Sequence, residues 1–283
     1  MGLVTLPADS HVHSEWSWDA AKGSMERSCA QAVDLGLPAI AFTEHLDHTV
    51  WTVSLDALDE SEHLAALATP DGLLTPPEFK ASGYLEAIER CRERFPSLRI
   101  LSGLEMGEPH WHAAATAKVL GEGRFDRVLG SLHCLPDGDG FAEPPGLYGH
   151  RGAAEVVREY LAEVARLVTE SDVFCVLAHI DYPVRSWPAQ AGPFDPNAFE
   201  DEFRYALRVL AESGRALEVN TRVPLHPGVV RWWHEEGGSA ITFGSDAHDP
   251  TRLAFGFGEA AGMAEAHGFR PGRHPYDFWT RSH

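Results

Sequence analysis

SAITFGSDAH, at residues 239–248, is an apolar, strand-like run that ends in an acid and a histidine. Most of the other apolar runs also end in a histidine or an acid, and most are followed by a segment with helical periodicity, such as residues 153–168. Alternating strands and helices predict an α/β protein whose parallel sheet is closed into a barrel and covered by helices on its outer face. The seven runs are LPADSHVH (6–13), PAIAFTEH (38–45), RILSGLE (99–105), RVLGSLH (127–133), VFCVLAH (173–179), ALEVN (216–220) and SAITFGSDAH (239–248).

One such barrel accounts for the whole length of 283 residues, so we expect a single domain over residues 1–283. We expect the tail, residues 268–283, to dock on the barrel as a short cap. Two long connections, residues 46–78 and residues 134–151, interrupt the alternation of strands and helices. Because each follows the C-terminal end of a strand, we expect both to act as lids over the same end of the barrel.

The formal net charge is −19. A domain this acidic repels polyanions, which argues against nucleic acid as a partner. No apolar run is long enough to span a bilayer, and no N-terminal stretch has the pattern of a signal peptide. The four cysteines show no paired spacing, and Cys175, inside an apolar run, is expected to be a buried thiol. These features favour a reduced, cytoplasmic enzyme without a membrane partner.

In a parallel barrel the C-terminal ends of the strands converge on one rim. The residues that end the runs should therefore share one small volume, and imidazole with carboxylate is a donor set that suits Zn, Fe or Mn. Thiolate is nearly absent from this rim, which argues against a closed structural zinc site. The alternative is a set of separate, hydrogen-bonded histidines. The rim residues are His11, His13, His45, Glu105, His133, His179, Asp246 and His248.

The motifs at the ends of these runs resemble those of the PHP (polymerase and histidinol phosphatase) superfamily, and especially its histidinol-phosphatase branch. The resemblance covers residues 8 to about 258. It implies a distorted (β/α)7 barrel with a site for three divalent metal ions at the C-terminal rim of the strands, in agreement with the seven runs counted above. The matching motifs are HVH (11–13) followed by Asp19, TEH (43–45), GLE (103–105), FDRVLGSLH (125–133), AHID (178–181), LEVNT (217–221) and GSDAH (244–248).

The resemblance also implies which residues bind the metals. Glu105 is expected to bridge two of the ions, and Glu105, Asp246 and His248 are expected to be catalytic. Asp19 lies in SEWSWDA, which has no clear strand or helix pattern, and its alternative role is to cap a helix at residues 22–36. The implied ligands are His11, His13, Glu105 and Asp246 for the first ion, Glu105, His133 and His179 for the second, and Asp19, His45 and His248 for the third.

The implied activity is that of a metal-dependent phosphatase with L-histidinol phosphate as its substrate. Divalent ions neutralise phosphoryl oxygens, make hydroxide available near neutral pH and stabilise the leaving alkoxide, so we expect direct attack by metal-bound hydroxide with inversion at phosphorus. Another small phosphomonoester or a cyclic phosphodiester is the alternative substrate. A non-catalytic binding module is disfavoured, because all nine implied ligand positions hold competent residues.

In so acidic a protein, cationic side chains are needed to orient a phosphate. Arg185 and Arg222 follow metal-bearing strands and are the candidates, with two ordinary surface arginines as the alternative. His110 and Asn220 are further candidate substrate contacts, although His110 could instead begin a helix and Asn220 could be a buried, backbone-bonded amide. Five tryptophans lie just after strands and suggest an aromatic wall for the substrate: Trp16, Trp18, Trp51, Trp111 and Trp187.

Overall fold

The structure is a computed structural model that describes residues 6–53, 58 and 62–282. Its strands belong to two sheets, a large one that forms a barrel and a small one beside the barrel's rim. The strands are β1 (Asp9–Val12), β2 (Ala39–Leu46), β3 (Trp51–Thr52), β4 (Leu73–Leu74), β5 (Arg99–Gly107), β6 (Arg127–Ser131), β7 (Leu135–Asp137), β8 (Gly140–Ala142), β9 (Val176–Leu177), β10 (Ala216–Asn220), β11 (Ala240–Gly244), β12 (Phe269–Arg270) and β13 (Trp279–Arg281).

Seven parallel strands form the barrel in the order β1-β2-β5-β6-β9-β10-β11, and β11 pairs back onto β1 through Phe243 and Asp9. Each of the seven apolar runs contains one of these strands, so the predicted (β/α)7 barrel is confirmed. The barrel is irregular: β2 and β5 pair over eight residues from Ala39 to Leu46, whereas β9 has only two residues. The register between β1 and β2 also shifts, between Asp9 and Val12.

Helices cover the outside of the barrel, because their apolar residues recur on one face. The longest spans Ala153–Glu170, where the sequence predicted residues 153–168, and it buries Val156, Tyr160 and Val164 against the strands. The helices are α1 (Met25–Leu35), α2 (Glu62–Leu67), α3 (Ala81–Arg94), α4 (Ala113–Leu120), α5 (Pro144–Leu147), α6 (Ala153–Glu170), α7 (Glu200–Glu212), α8 (Pro227–Glu235) and α9 (Phe257–Ala266).

The two long connections that the sequence predicted as lids pair with each other. Their strands form a four-stranded sheet in the order β4-β3-β8-β7, in which Thr52 of one connection is the partner of Ala142 of the other. This sheet buries Trp51 and Leu74 in a small apolar cluster of its own. Residues 54–57 and 59–61 of the first connection lie outside the described residues. A role as lids stays a prediction.

The tail runs to the opposite end of the barrel from the histidines. Strand β13 pairs antiparallel with the first residues of β11, Ala240 and Ile241, and with β12. The indole of Trp279 is buried with its ring 4.9 Å from that of Phe243. We call the end of the barrel at which β5, β6 and β11 begin the floor. The tail packs against this floor.

The cysteines are free thiols, and three of them are buried. Cys175 is exposed and its sulfur donates to the carbonyl of Val128, so the expectation of a buried thiol was wrong. The reason is that β9 begins only at Val176, which leaves Cys175 at the point where the chain enters the barrel. Among the helices in the described ranges, none is both long enough and apolar enough to cross a membrane.

Candidate metal centre

The structure brings the predicted rim residues together at the C-terminal ends of the strands. Three of them lie inside strands, and the others follow within four residues of a strand end. The strands position them because a strand inside a closed barrel has little freedom to move, so a side chain at its end is held in place. The strand residues are His11 on β1, His45 on β2 and Glu105 on β5, and those that follow strands are His13, His133, His179, Asp246 and His248.

Glu105 lies at the centre of the cluster and is buried. One of its carboxylate oxygens, Oε2, lies 3.1 Å from Nε2 of His11, 3.3 Å from Nε2 of His13 and 3.2 Å from Nδ1 of His45. The other oxygen, Oε1, lies 2.6 Å from Nε2 of His179 and 3.2 Å from Nε2 of His133. The two oxygens of one carboxylate therefore face two different groups of imidazoles, which is the arrangement that a bridging ligand requires.

Asp246 lies on one side of this cluster. Its Oδ1 is 3.4 Å from Nε2 of His13 and 3.5 Å from Nδ1 of His248, and its Oδ2 accepts a hydrogen bond of 2.5 Å from Arg185. The backbone of Asp246 has a φ of 52°, in the left-handed region that is uncommon for residues other than glycine. Backbone strain of this kind persists at sites where the surrounding structure holds it in place.

Asp19 lies with His45 and His248, as the resemblance implied. Its Oδ2 is 2.9 Å from Nε2 of His248 and 3.4 Å from Nε2 of His45. The residue that caps α1 is Ser24, whose hydroxyl accepts a hydrogen bond from the amide of Arg27. The structure therefore places Asp19 in the cluster and gives the capping role to a different residue.

The donor set fits divalent metal ions. Nε2 of His11 and Nε2 of His13 are 3.0 Å apart. Oε2 of Glu105 and Nδ1 of His45 lie close to other donor atoms but have no partner in hydrogen-bond geometry among the described residues, and neither does Oδ1 of Asp19. Buried polar atoms without partners are costly in a protein interior, and coordination of a cation satisfies them. Nitrogen and carboxylate oxygen donors without thiolate suit Zn, Fe and Mn.

The charges of the site also suit metal binding. Burial would raise the pKa of the Glu105 carboxyl, but His11, His45 and His133 hold that pKa well below its usual value. Burial lowers the pKa of His13 to about 4, and burial together with Arg185 lowers that of His179 to about 4. Burial would lower the pKa of His11, His45 and His133, but the surrounding carboxylates raise it, to about 9 for His45 and well above its usual value for the other two. Near neutral pH the ionised Glu105 carboxylate therefore lies beside protonated imidazoles, and a divalent cation would take the place of their protons, because an imidazole binds a metal in its neutral form.

Sequence reasoning missed the residues that orient the rings. Glu218 is fully buried, and its Oε1 lies 2.7 Å from Nδ1 of His11 while its Oε2 accepts hydrogen bonds from the amide of His179 and from Asn220. Glu218 stands alone as a charge in the apolar run ALEVN, and this was the signal that could have revealed it. A Cβ on Gly244 would lie 2.0 Å from Oε1 of Glu218, so glycine is required on the neighbouring strand.

Asp47 and Ser17 make similar contacts. Oδ1 of Asp47 lies 3.3 Å from Nδ1 of His133, and its Oδ2 accepts a hydrogen bond from the indole of Trp18. Oγ of Ser17 lies 2.8 Å from Nδ1 of His13. Contacts of this kind to the second ring nitrogen fix the orientation of a metal-binding imidazole. Neither residue belongs to a motif, so only the packed structure reveals them.

A cavity of about 450 Å³ opens onto the cluster. Arg185 and Arg222 lie on one side of it, and Arg222 also lies 3.3 Å from Oδ1 of Asp246. Asp47, Glu108 and Glu143 supply carboxyl groups elsewhere on its wall. The wall of the cavity therefore carries both guanidinium and carboxyl groups, and the carboxyl of Asp47 contacts His133 of the cluster.

Two tryptophans of the predicted aromatic wall, Trp18 and Trp51, line the cavity, with ring centres 5.7 Å apart. The other three do not line the described wall of the cavity and pack on protein groups around it. Trp16 contacts Tyr84, Trp111 donates to Glu163, and Trp187 packs on Phe194.

His110 and Asn220 do not belong to the described wall of the cavity. The ring of His110 is buried, with Nε2 2.8 Å from Oε1 of Glu163 on α6. The side chain of Asn220 donates to Glu218 and accepts from the amide of Arg222. Both side chains bond to protein groups around the site, so the geometry favours a structural contribution for each over contact with a substrate.

The fold and the donor set together define an α/β barrel with a candidate multinuclear metal centre. Residues 9–222 match the family model described as the PHP domain, and the chain belongs to that family. A probable histidinol-phosphatase from Deinococcus radiodurans is 28% identical over 273 residues, which cover 91% of this chain and 92% of the relative. The histidinol-phosphatase of Lactococcus lactis is 26% identical over 269 residues, covering 92% of this chain and 91% of the relative.

A solved structure has the same fold. The crystal structure of histidinol phosphate phosphatase from Lactococcus lactis, complexed with zinc, L-histidinol and phosphate, matches with a TM-score of 0.79. The match covers 97% of this chain and 99% of the other chain at 23% sequence identity. The chain thus has the fold of that phosphatase over nearly its full length.

Proposed function

We propose that this protein is a metal-dependent phosphatase that hydrolyses L-histidinol phosphate to L-histidinol and phosphate. The observation that carries the proposal is the position of Glu105, whose two carboxylate oxygens face five imidazole nitrogens at the end of a cavity. The relatives named histidinol-phosphatase, which match this chain over nine-tenths of its length, support the choice of substrate.

The proposed centre would hold three divalent ions, Zn, Fe or Mn, with Glu105 as a ligand shared by two of them. Bound ions supply Lewis-acid neutralisation of the phosphoryl oxygens and activation of water for attack on phosphorus. The groups of imidazole and carboxylate atoms that lie within 4.8 Å of one another support this assignment. The proposed ligands are His11, His13, Glu105 and Asp246 for one ion, Glu105, His133 and His179 for another, and Asp19, His45 and His248 for the third.

Glu105, Asp246 and His248 are the proposed catalytic residues, because all three border the cavity. Burial would raise the pKa of Asp246, but Arg185 and His11 hold that pKa well below its usual value, so its carboxylate stays ionised. The ring of His248 is held at both nitrogens, with Nε2 2.9 Å from Asp19 and Nδ1 3.0 Å from the carbonyl of Asp246. These contacts support a role for the three side chains at a phosphoryl group bound in the cavity.

Arg185 and Arg222 are proposed to orient the phosphate. Both line the cavity, and both contact Asp246, so they converge on the side of the cluster that a phosphate would approach. The side chain of Arg185 is 18% exposed and that of Arg222 is 46% exposed. The contact with Arg185 is the more desolvated one, and we expect it to contribute more to binding.

The carboxyl groups on the wall of the cavity suit the leaving group. L-Histidinol carries an amine that is protonated near neutral pH, and carboxylates are its natural partners. Asp47, Glu108 and Glu143 border the cavity, and Oε1 of Glu143 accepts a hydrogen bond from the hydroxyl of Tyr182. The rings of Trp18 and Trp51 offer apolar surface for the imidazole of the substrate. We therefore propose that the phosphate lies beside the arginines and the ammonium beside these carboxylates.

The acidic character of the chain agrees with a small-molecule substrate. A net charge of −19 disfavours association with nucleic acid and with anionic membranes. We propose that the enzyme acts in the cytoplasm, in histidine biosynthesis, where its cysteines remain reduced.

The test is a phosphate-release assay with the purified protein and Mn, Zn or Fe supplied separately. Three substrates separate the possibilities: L-histidinol phosphate, a phosphomonoester of similar size without an amine, and a cyclic phosphodiester. The proposal predicts the highest kcat/KM for L-histidinol phosphate and loss of activity when a chelator removes the metal. If the amine-free monoester or the diester is hydrolysed better, the substrate assignment is wrong and a broader phosphoesterase remains. If no metal supports turnover, the enzymatic assignment is wrong.

A further inference from the structure

The floor of the barrel holds an arginine that is buried without an acidic partner. Arg127, the first residue of β6, is 6% exposed. Its Nη1 donates to the hydroxyl of Ser10 at 3.0 Å, and its guanidinium lies 4.4 Å from the ring centre of Phe278 in the tail. No carboxylate oxygen of the described residues lies within 4.0 Å of it, and its other N–H groups have no protein acceptor there.

A buried guanidinium is unfavourable unless an opposite charge or a full set of hydrogen bonds compensates it. Arg127 has one hydroxyl and one aromatic ring as protein partners, which leaves most of its five donors without a protein acceptor but accessible from the cavity that it lines. Burial lowers the pKa of this guanidinium, and Cys175 and Asp126 oppose the shift without cancelling it. The guanidinium of Arg127 therefore has donors free to bind a negatively charged partner, which the described residues do not supply.

Arg127 lines a cavity of about 590 Å³ between the floor of the barrel and the tail. Two more arginines line it, Arg99 at the start of β5 and Arg273 in the tail. Arg99 lies against Tyr276, with its guanidinium 4.2 Å from the ring centre, and it has no carboxylate within 4.0 Å among the described residues. The cavity thus gathers three guanidinium groups in a chain whose net charge is −19.

The two acids that line this cavity already accept hydrogen bonds from protein groups. Asp126 accepts a hydrogen bond of 2.7 Å from Arg92, and the same oxygen accepts from the amide of Ser102. Asp277 accepts from the amide of His274 at 2.8 Å. Arg92 does not line the cavity, and its guanidinium is shared between Asp126 and Glu89. The three lining arginines outnumber the two lining acids, Asp126 and Asp277, so the cavity keeps an excess of positive charge.

We infer that Arg99, Arg127 and Arg273 form an oxyanion site on the floor of the barrel, which binds a small phosphate or carboxylate. The arginine fork matches the geometry of both oxyanions, and a partly buried charge-assisted contact is stronger than an exposed one. The bound anion would contact both the barrel strands and the tail. This site is separate from the candidate metal centre, which lies at the other end of the strands, and it does not depend on the proposed function.

The experiment is calorimetric titration of the metal-loaded protein with inorganic phosphate, and separately with acetate. The inference predicts two phosphate-binding events per chain, one at the metal centre and one at the floor. Arg127→Gln should remove the floor event, whereas a protein with Arg185→Ala and Arg222→Ala should retain it. Comparable binding of acetate would identify a general carboxylate or phosphate site, and binding of phosphate alone would identify a phosphate site.

Two further variants keep the test decisive if Arg127→Gln folds poorly. Arg99 and Arg273 are exposed, so a protein with Arg99→Gln and Arg273→Gln should fold normally and should bind phosphate at the floor about tenfold more weakly. Arg124→Gln, an exposed substitution three residues before Arg127 and outside the cavity wall, is the matched control and should change nothing. If no phosphate event in the unmodified protein is removed or weakened by Arg127→Gln or by the Arg99→Gln and Arg273→Gln pair, the inference is overturned, whether or not the metal centre binds phosphate.

Discussion

The two halves of the candidate active site are built in different ways. The donor atoms of the histidine cluster lie on strands or within four residues of a strand end, and its central carboxylate, Glu105, is 1% exposed. The walls that would meet the substrate come from longer connections: Arg185 lies in a short 3-10 helix, Tyr182–Ser186, and Glu143 lies between β8 and α5. The difference separates two tasks, since coordination requires donors fixed within a fraction of an ångström and substrate selection tolerates variation in loops.

The largest loss of activity is expected from Glu105→Gln, which changes the central carboxylate of the strand-end half of the site. An amide supplies only one neutral oxygen and cannot bridge two cations, so the bound metal should fall. We expect kcat/KM to fall by more than about a thousandfold, since metal ions supply several kcal/mol of transition-state stabilisation. Metal analysis and phosphate release check this, with circular dichroism to confirm that the fold survives. A full metal complement with normal turnover would show that Glu105 is not a bridging ligand.

The next largest effect should come from the loop-borne arginines. Arg185→Ala removes a largely buried charge-assisted contact and should lower kcat/KM for a phosphomonoester by ~2–4 kcal/mol, or about 30- to 1,000-fold. Arg222→Ala should have a smaller effect, because the Arg222 side chain is 46% exposed.

Both arginine variants should keep their full metal content, which separates the two halves of the site. Arg231→Ala, an exposed substitution on α8, is the control. Steady-state kinetics with L-histidinol phosphate and with a diester makes the comparison, and the diester should be affected less because it has one fewer charge. Unchanged kinetics in both variants would mean that neither arginine positions the phosphate.

Asp19 tests the boundary between the two halves, because it lies in a connection yet contacts the cluster. Asp19→Ala removes one of three proposed ligands and should reduce the bound metal by about one equivalent, leaving the ions held around Glu105 in place. Activity should fall less than in the Glu105 variant, since His45 and His248 remain. Metal analysis after dialysis measures the stoichiometry. If it does not change, Asp19 only hydrogen-bonds the two histidines.

The smallest expected effect on the kinetics concerns Glu143, which lies in the loop-borne half of the site. Glu143→Gln keeps the shape of the side chain and the hydrogen bond from Tyr182 but removes the charge proposed to face the substrate ammonium. The KM for L-histidinol phosphate should rise about five- to tenfold, while kcat and metal content stay constant. The KM for an amine-free phosphomonoester should not change. An equal rise for both substrates would show that Glu143 shapes the cavity and does not recognise the amine.

The sequence by itself determined the barrel and most of the histidine cluster. Strand runs such as RILSGLE and SAITFGSDAH carry a local pattern of apolar residues, and each polar residue at the end of a run is placed by the strand before it. Closure of the parallel barrel then brings these ends together, so a list of local patterns is enough to assemble Glu105, His133 and Asp246 in one place.

Only the tertiary structure decided which groups surround that cluster. Glu218 contacts His11 across 207 residues of chain, and Asp47 contacts His133 across 86, and no local pattern encodes contacts between such distant segments. The same holds for His110. Its position after β5 predicted a contact with the substrate, but its ring packs against Glu163 of α6. The connections that form the small second sheet, and the tail that lies over Arg127, also pair through long-range contacts. Their positions depend on how the whole chain packs, and this is why the metal-binding half of the site could be predicted from sequence and much of its surroundings could not.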